Sequence, residues 1–197
     1  MTQFALKIFR FFVFIGLLAL MAPRAQAADI PAYAGPGSED LTKTITSGPS
    51  PSASEEVPLD KPNIEITALL PWVADTVTGS LNLQPKDYKE TLHNAARSFT
   101  RDGWVDFTRM LQKYRVITNL QQNDQTVSVV PGSPSLSRED IEDGIYRWSI
   151  TMPVTINYFS EKDSHTDYII LNLMVVRVPR KDNILGISIS KWLEAER

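Results

Sequence analysis

Residues 146–158 alternate without exception between apolar and more polar side chains, and no other feature of the chain restricts its fold as strongly. Because successive side chains of a β-strand point to opposite faces of a sheet, this period of two predicts a long strand with one buried face. Pro153 has no amide to donate, so the strand is expected to bend or to lie at a sheet edge there. The apolar set, which must face a core, is Tyr146, Trp148, Ile150, Met152, Val154, Ile156 and Tyr158.

The rest of the second half of the chain also predicts strands. Residues 126–130 show a short strand pattern, residues 168–178 are nearly all apolar, and residues 185–189 alternate again. Residues 131–134 contain two prolines and residues 139–143 are rich in acidic side chains, so this connection is expected to be a loop. Together the segments predict an antiparallel meander.

The first half of the folded region predicts helices. Apolar residues at spacings of three and four predict a helix over about 68–78, with Gly79 placed to end it. Pro85 opens a second periodic segment, and Thr100 can cap a third helix that buries Trp104. Three helices followed by strands predict an α+β fold in which the helices cover one face of the antiparallel sheet.

The N-terminus predicts export. Residues 1–27 combine basic side chains, an apolar run and a small-residue triplet that ends at Ala27, which is the plan of a secretory signal peptide cleaved after Ala27. The alternative is an uncleaved membrane anchor, which needs about 20 apolar residues. Residues 28–62 hold six prolines and three glycines and are expected to be a disordered linker. The exported domain is therefore expected over 63–197.

Composition removes several classes of function. Asp and Glu outnumber Lys and Arg by 23 to 20, whereas a nucleic-acid binder needs concentrated basic charge. The absence of cysteine excludes disulfides, thiolate ligands and thiol nucleophiles. Neither His93 nor His165 has a carboxylate or histidine at ligand spacing, and the acidic residues 139–143 lack the ladder of a calcium loop. We therefore expect no metal site, no cofactor and no catalytic residue.

Two spaced motifs resemble a known family. The first consists of Phe99, Thr100, Gly103, Trp104 and Phe107, and the second contains Tyr146, Trp148 and Pro153. Together they resemble the DotI/IcmL/TraM family of inner-membrane and periplasmic components of type IVB (Dot/Icm) secretion and plasmid conjugation systems. The resemblance extends over about residues 69–192. It implies a periplasmic, nuclear-transport-factor-like cone, similar to the VirB-type assembly factor, that is not an enzyme and that contacts secretion-apparatus subunits and copies of itself.

The aromatic residues of these motifs leave two alternatives open. Trp104, Tyr146 and Trp148 are expected to meet where helix packs on sheet, as part of the core. Alternatively, they enclose a pocket for a small apolar ligand, and the chain is then a soluble periplasmic ligand-binding or enzymatic domain. A deep cavity beneath Trp104 and Trp148 would favour the pocket.

The strand predicted at 168–178 is apolar on both faces, although its predicted neighbour is apolar on only one. The unbroken set that is expected to face the helices is Ile169, Leu171, Leu173 and Val175. The other set is interrupted by Asn172 and is expected to face outward. This candidate partner surface consists of Tyr168, Ile170, Met174 and Val176. An exposed apolar stripe requires cover, which a partner, another copy or the linker would supply.

Overall fold

The computed structural model of the protein describes residues 57–195, so the predicted signal peptide and most of the predicted linker lie outside the described residues. Within this range the helices precede the strands, which confirms the predicted α+β class. The helices are α1 (Ile66–Leu81), α2 (Tyr88–Ala96), α3 (Arg101–Lys113) and α4 (Val116–Asn123). The strands are β1 (Thr126–Pro131), β2 (Ser135–Glu142), β3 (Ile145–Phe159), β4 (Ser164–Arg177) and β5 (Ile187–Glu194).

Strand β3 is the centre of one antiparallel sheet. It pairs with β4 over Arg147–Phe159, and β1 and β2 share its other side. The β1 ladder ends opposite Val154 and the β2 ladder begins opposite Thr151, which leaves Pro153 at the gap between them. The Pro153 carbonyl accepts a hydrogen bond of 2.7 Å from the Gly132 amide across this gap. The proline therefore stands in a central strand, at the one stretch where a missing amide breaks no ladder.

One face of the sheet carries the core. The even-numbered residues of β3 from Trp148 to Tyr158 are buried, and Tyr146 is half-buried. Helix α3 packs on β5, whereas α1 and α4 contact β1. The alternate residues of β4 that were predicted to face the helices are buried as well: Ile169, Leu171, Leu173 and Val175.

Helix α4 corrects the expectation of three helices. Its neighbours Arg115 and Asp124 both have left-handed backbone, with φ of 53° and 50°, although neither is glycine. The usual glycine signal for a helix end is therefore missing here. The predicted stop at Gly79 is also wrong, because α1 continues to Leu81.

Strand β2 replaces the loop that was predicted for the acidic segment. Its side chains are mostly exposed, so it carries no apolar alternation that could be recognised. Main-chain pairing with β3 defines the strand, and Arg147 on β3 forms ion pairs with Asp140 and Glu142. A charged edge strand of this kind resists pairing with other chains.

Arg177 is buried at the end of β4 and joins two segments that are far apart in the sequence. Its Nε donates to the Lys61 carbonyl at 2.9 Å, its Nη2 to Val57 at 2.7 Å and its Nη1 to Gly186 at 2.6 Å. We call this arrangement the arginine clasp. Residues 57–62, which composition placed in the linker, are thereby held against the sheet.

Candidate functional site

The Thr-x-x-Gly-Trp sequence lies where α3 begins and meets β5. The Thr100 amide donates to the Ile189 carbonyl at 2.9 Å, and the Thr100 hydroxyl accepts from the Gly103 amide at 3.2 Å, which caps the helix as predicted. A Cβ on Gly103 would lie 2.1 Å from the Ile189 carbonyl oxygen. Glycine at this position thus allows the α3 backbone to approach β5.

Four buried aromatic rings fill the space beside this junction. Phe99 contacts Trp104, Phe107 and Trp192 with centroids 5.2 to 5.7 Å apart, and Phe107 contacts Trp192 at 5.0 Å. All four side chains are at most 4% exposed. The first motif therefore contributes to the core.

Sequence reasoning missed Trp192. The register between β4 and β5 pairs Met174 with Lys191 and Val175 with Ile189, so Ser190 is an extra residue in β5. This bulge shifts the alternation by one position and returns Trp192 to the buried face. A regular period of two from Ile189 would have placed Trp192 outside.

Tyr146 and Trp148 form a separate aromatic pair with ring centroids 5.0 Å apart. The Tyr146 hydroxyl donates to Glu139 at 3.1 Å, whereas Trp148 is fully buried. The ring contacts of Trp104 are with Phe99 and Phe107, so the expected meeting of the three motif aromatics is not observed. The two groups instead pack different parts of the core.

The outer face of the sheet presents an apolar patch to solvent. Tyr168 is 67% exposed and Ile170 is 47% exposed, whereas Met174 and Val176 are partly buried. In the register with β3, Ile170 lies opposite the exposed Pro153. We call the set Tyr168, Ile170, Met174 and Val176 the outer-face patch.

A cavity of about 680 Å³ opens at one end of the outer-face patch, and Tyr114, Tyr168, Ile170 and Glu194 are among its lining residues. One carboxylate oxygen of Glu194 pairs with Lys113. The other, Oε1, is buried without a hydrogen-bond partner among residues 57–195. Burial, with the nearby Glu194 carboxylate, raises the pKa of Tyr114. The cavity could accept an apolar group that also carries a hydrogen-bond donor.

The two histidines lie in different surroundings. His93 is exposed on α2, and the His165 ring stacks on Tyr158 at 4.2 Å with an interplanar angle of 5°. Burial, followed by the charge of Asp167, raises the pKa of Tyr158 far above its ordinary value. Across the described part of the chain, no group of three or more His, Cys, Asp or Glu side chains is arranged to hold a metal ion.

Comparison with known protein families relates this chain to a component of type IVB secretion systems. The family model of DotI/IcmL, described as a type-IVb secretion system inner-membrane complex component, matches residues 50–196. Because the match spans most of the chain, this protein belongs to the DotI/IcmL family, which confirms the resemblance of its motifs. A search of curated proteins found no match.

Three solved structures have a similar fold. A periplasmic fragment of TraM is 15% identical with a TM-score of 0.64, and the alignment covers 68% of this chain and 98% of that one. The periplasmic domain of DotI is 21% identical with a TM-score of 0.63, covering 68% and 97%. An IcmL-like type IV secretion system protein from Legionella pneumophila is 18% identical with a TM-score of 0.58, covering 67% and 93%. At these identities the likeness concerns the fold.

None of the helices among residues 57–195 has the length and apolar character that a membrane crossing requires.

Proposed function

We propose that this protein is a non-enzymatic structural component of a type IVB secretion or conjugation apparatus that acts in the periplasm through protein–protein contacts. Membership of the DotI/IcmL family supports the apparatus. The outer-face patch supports action through protein–protein contacts, because an exposed apolar stripe on a sheet face is typical of an interaction surface. The expected partners are other subunits of the apparatus and further copies of this chain.

Export to the periplasm rests on the N-terminal sequence. A signal peptide over residues 1–27 delivers the chain, and the predicted linker then acts as a spacer up to residue 56, because the arginine clasp fastens residues 57–62 to the domain. The periplasmic domains among the similar structures support this location.

The experiment that tests the proposal compares two lysine substitutions. Ile170→Lys places a charge in the outer-face patch, and Ile141→Lys places one on β2 at a residue that is 56% exposed. Affinity purification from membrane and periplasmic fractions should recover apparatus subunits with the parent chain and with Ile141→Lys, but not with Ile170→Lys. Equal recovery with all three would contradict the role of the patch, and recovery of no apparatus subunit would contradict the proposed function.

A second candidate function, binding of a small ligand, is favoured by the cavity beside Tyr114 and by the buried Oε1 of Glu194. The ligand would combine an apolar body with a hydrogen-bond donor. Native mass spectrometry of the protein from its host checks this alternative, since a co-purifying small molecule that is lost in Glu194→Ala would support it.

A further inference from the structure

The sheet has a notch where β5 ends and β4 continues. The register of β5 on β4 ends at Leu171, and the Ala195 amide then donates to the Ile170 carbonyl at 2.8 Å. Strand β4 itself begins at Ser164 and is paired with β3 from there onward. The cavity of about 680 Å³ lies in this notch, beside the end of α3. Its walls therefore come from four elements.

The cavity is continuous with the outer-face patch. Tyr168 and Ile170 belong to both, and Pro153, which lies opposite Ile170 in the register, lines the cavity as well. The buried residues Val154 and Ile169 add apolar wall. A protein that covers the outer-face patch therefore also covers the mouth of the cavity and can place a side chain in it.

One polar atom of the cavity wall lacks a hydrogen bond. Glu194 Oε1 is buried and has no partner among residues 57–195, although the other oxygen of this carboxylate pairs with Lys113. A buried acceptor without a donor is costly, so a group that donates to Oε1 gains from entering the cavity. The Lys113 side chain is 62% exposed and can change its rotamer as such a group enters.

The charges around the cavity favour a neutral donor over a cation. Among the described residues that line it, only Lys113 and Glu194 are charged, and they form an ion pair. The residues that follow Tyr114 and precede Tyr168 are Arg115 and Asp167, which again have opposite signs. A further ammonium or guanidinium group would therefore enter without a compensating charge.

An indole ring meets both requirements. Its N–H is a donor only, so it satisfies an acceptor and brings no acceptor of its own into the cavity. Tyr114 and Tyr168 line the cavity and offer aromatic contacts to such a ring. Tryptophan is also enriched among the residues that dominate binding at protein interfaces, where it fills pockets.

A second copy of this chain does not offer such a side chain. The chain has four tryptophans, and all of them lie within the described residues. Trp104, Trp148 and Trp192 are at most 4% exposed, and Trp72 packs against the core. The tryptophan must therefore come from a different protein.

We propose that the cavity is the pocket for a tryptophan side chain of a partner protein that lies on the outer-face patch, with the indole N–H donating to Glu194. This inference rests on the proposed function, because it requires that the outer-face patch contacts another protein. It adds the chemistry of one anchoring residue on that partner.

Analogues of the side chain test the pocket without the partner. The isotope-labelled full chain is titrated in an NMR experiment with N-acetyl-tryptophanamide, with its N-methylindole form, which lacks the donor, and with N-acetyl-lysinamide. The tryptophan probe should shift the amide signals of Ile170 and Ala195 but not that of Ile141 on β2. It should also bind about ten-fold more tightly than the N-methylindole form, because only the former donates to a carboxylate.

Three results of this titration would overturn the proposal: equal binding of the two tryptophan probes, tighter binding of the lysine probe, or no shift at Ile170 and Ala195. Glu194→Gln replaces the charged acceptor by a neutral one of similar size, so it should reduce the difference between the tryptophan probes to about three-fold or less. Glu90→Gln at an exposed position of α2 is the matched control and should leave the difference unchanged.

Affinity purification separates this inference from the proposed function. Recovery of apparatus subunits should fall with Glu194→Gln and not with Glu90→Gln. Undiminished recovery with Glu194→Gln, together with binding of the tryptophan probe, would overturn the partner's side chain as the occupant and assign the cavity to a free small molecule. Recovery of no apparatus subunit with the parent chain would contradict the proposed function, whereas the titration reports on the cavity alone, so the two failures are distinguishable.

Discussion

At the scale of single residues, the contact between α3 and β5 tolerates no side chain at position 103. We expect Gly103→Ala to destabilise the protein by at least about 1 to 3 kcal/mol, because the added methyl group would collide with the main chain of β5. Gly79→Ala is the matched control, since nothing lies within 4 Å of its Cβ position and a helical alanine is favoured by about 0.5 to 1 kcal/mol. Urea denaturation measures both changes. A Gly103→Ala protein as stable as the parent would contradict the close approach.

The buried Tyr158 should make the folded protein less stable at alkaline pH. Burial and the neighbouring Asp167 charge raise its pKa in the folded state, whereas an unfolded tyrosine loses its proton at about pH 10. Below that pH both states hold the proton and the stability is unaffected. Above it only the unfolded state releases the proton, so the free energy of unfolding falls as the pH rises.

Urea denaturation between about pH 9 and pH 11 tests this contribution of Tyr158. The Tyr158→Phe protein should show a shallower decline in stability than the parent over this interval. Identical declines would mean that Tyr158 ionises as easily in the folded protein as in the unfolded chain.

At the scale of secondary-structure elements, β4 places a core residue and a residue of the outer-face patch at consecutive positions. Leu171 is fully buried and Ile170 is 47% exposed on the opposite face. Leu171→Lys should prevent folding, because an unpaired charge in the core costs several kcal/mol. Ile170→Lys should leave the circular dichroism and the melting temperature nearly unchanged. If Ile170→Lys unfolds the domain as badly as Leu171→Lys, the outer-face patch is part of the core.

The elements differ in how well the sequence predicted them. The alternation of β3 and the Thr100 cap of α3 are local patterns, and the structure has both. Strand β2 and helix α4 depend on main-chain pairing with β3 and on packing against neighbours, so their own side chains carry little signal. The burial of Trp192 was not predicted, because it depends on a bulge that is visible only in the pairing of β5 with β4.

The candidate site also has one part that a local sequence pattern predicts and one part that depends on tertiary packing. The two faces of β4 were predictable from its alternation, which gave the outer-face patch. The cavity beside Tyr114 was not predictable, because the end of α3, the middle of β3, β4 and the end of β5 form it jointly and no local pattern connects them. The separation of Trp104 from Trp148 is likewise a matter of tertiary packing.

At the scale of the whole molecule, the N-terminal sequence predicts a mature chain that begins at Ala28. N-terminal sequencing of the protein from the periplasm of its native host should give Ala28 as the first residue, because Ala25 and Ala27 together form the small-residue signature that a signal peptidase cleaves after its last residue. Recovery of an intact N-terminus in the membrane fraction would contradict cleavage and would establish residues 1–27 as an anchor.

The arginine clasp determines how mechanical load enters the domain. The chain is fastened at Val57 and Lys61 before it reaches α1, and both fastenings are hydrogen bonds to one side chain at the end of β4. A pull on the N-terminal segment therefore reaches the sheet before it can unwind the first helix. In a machine whose parts move against one another, such a domain would transmit tension through its most extensively paired layer and keep its helices unloaded.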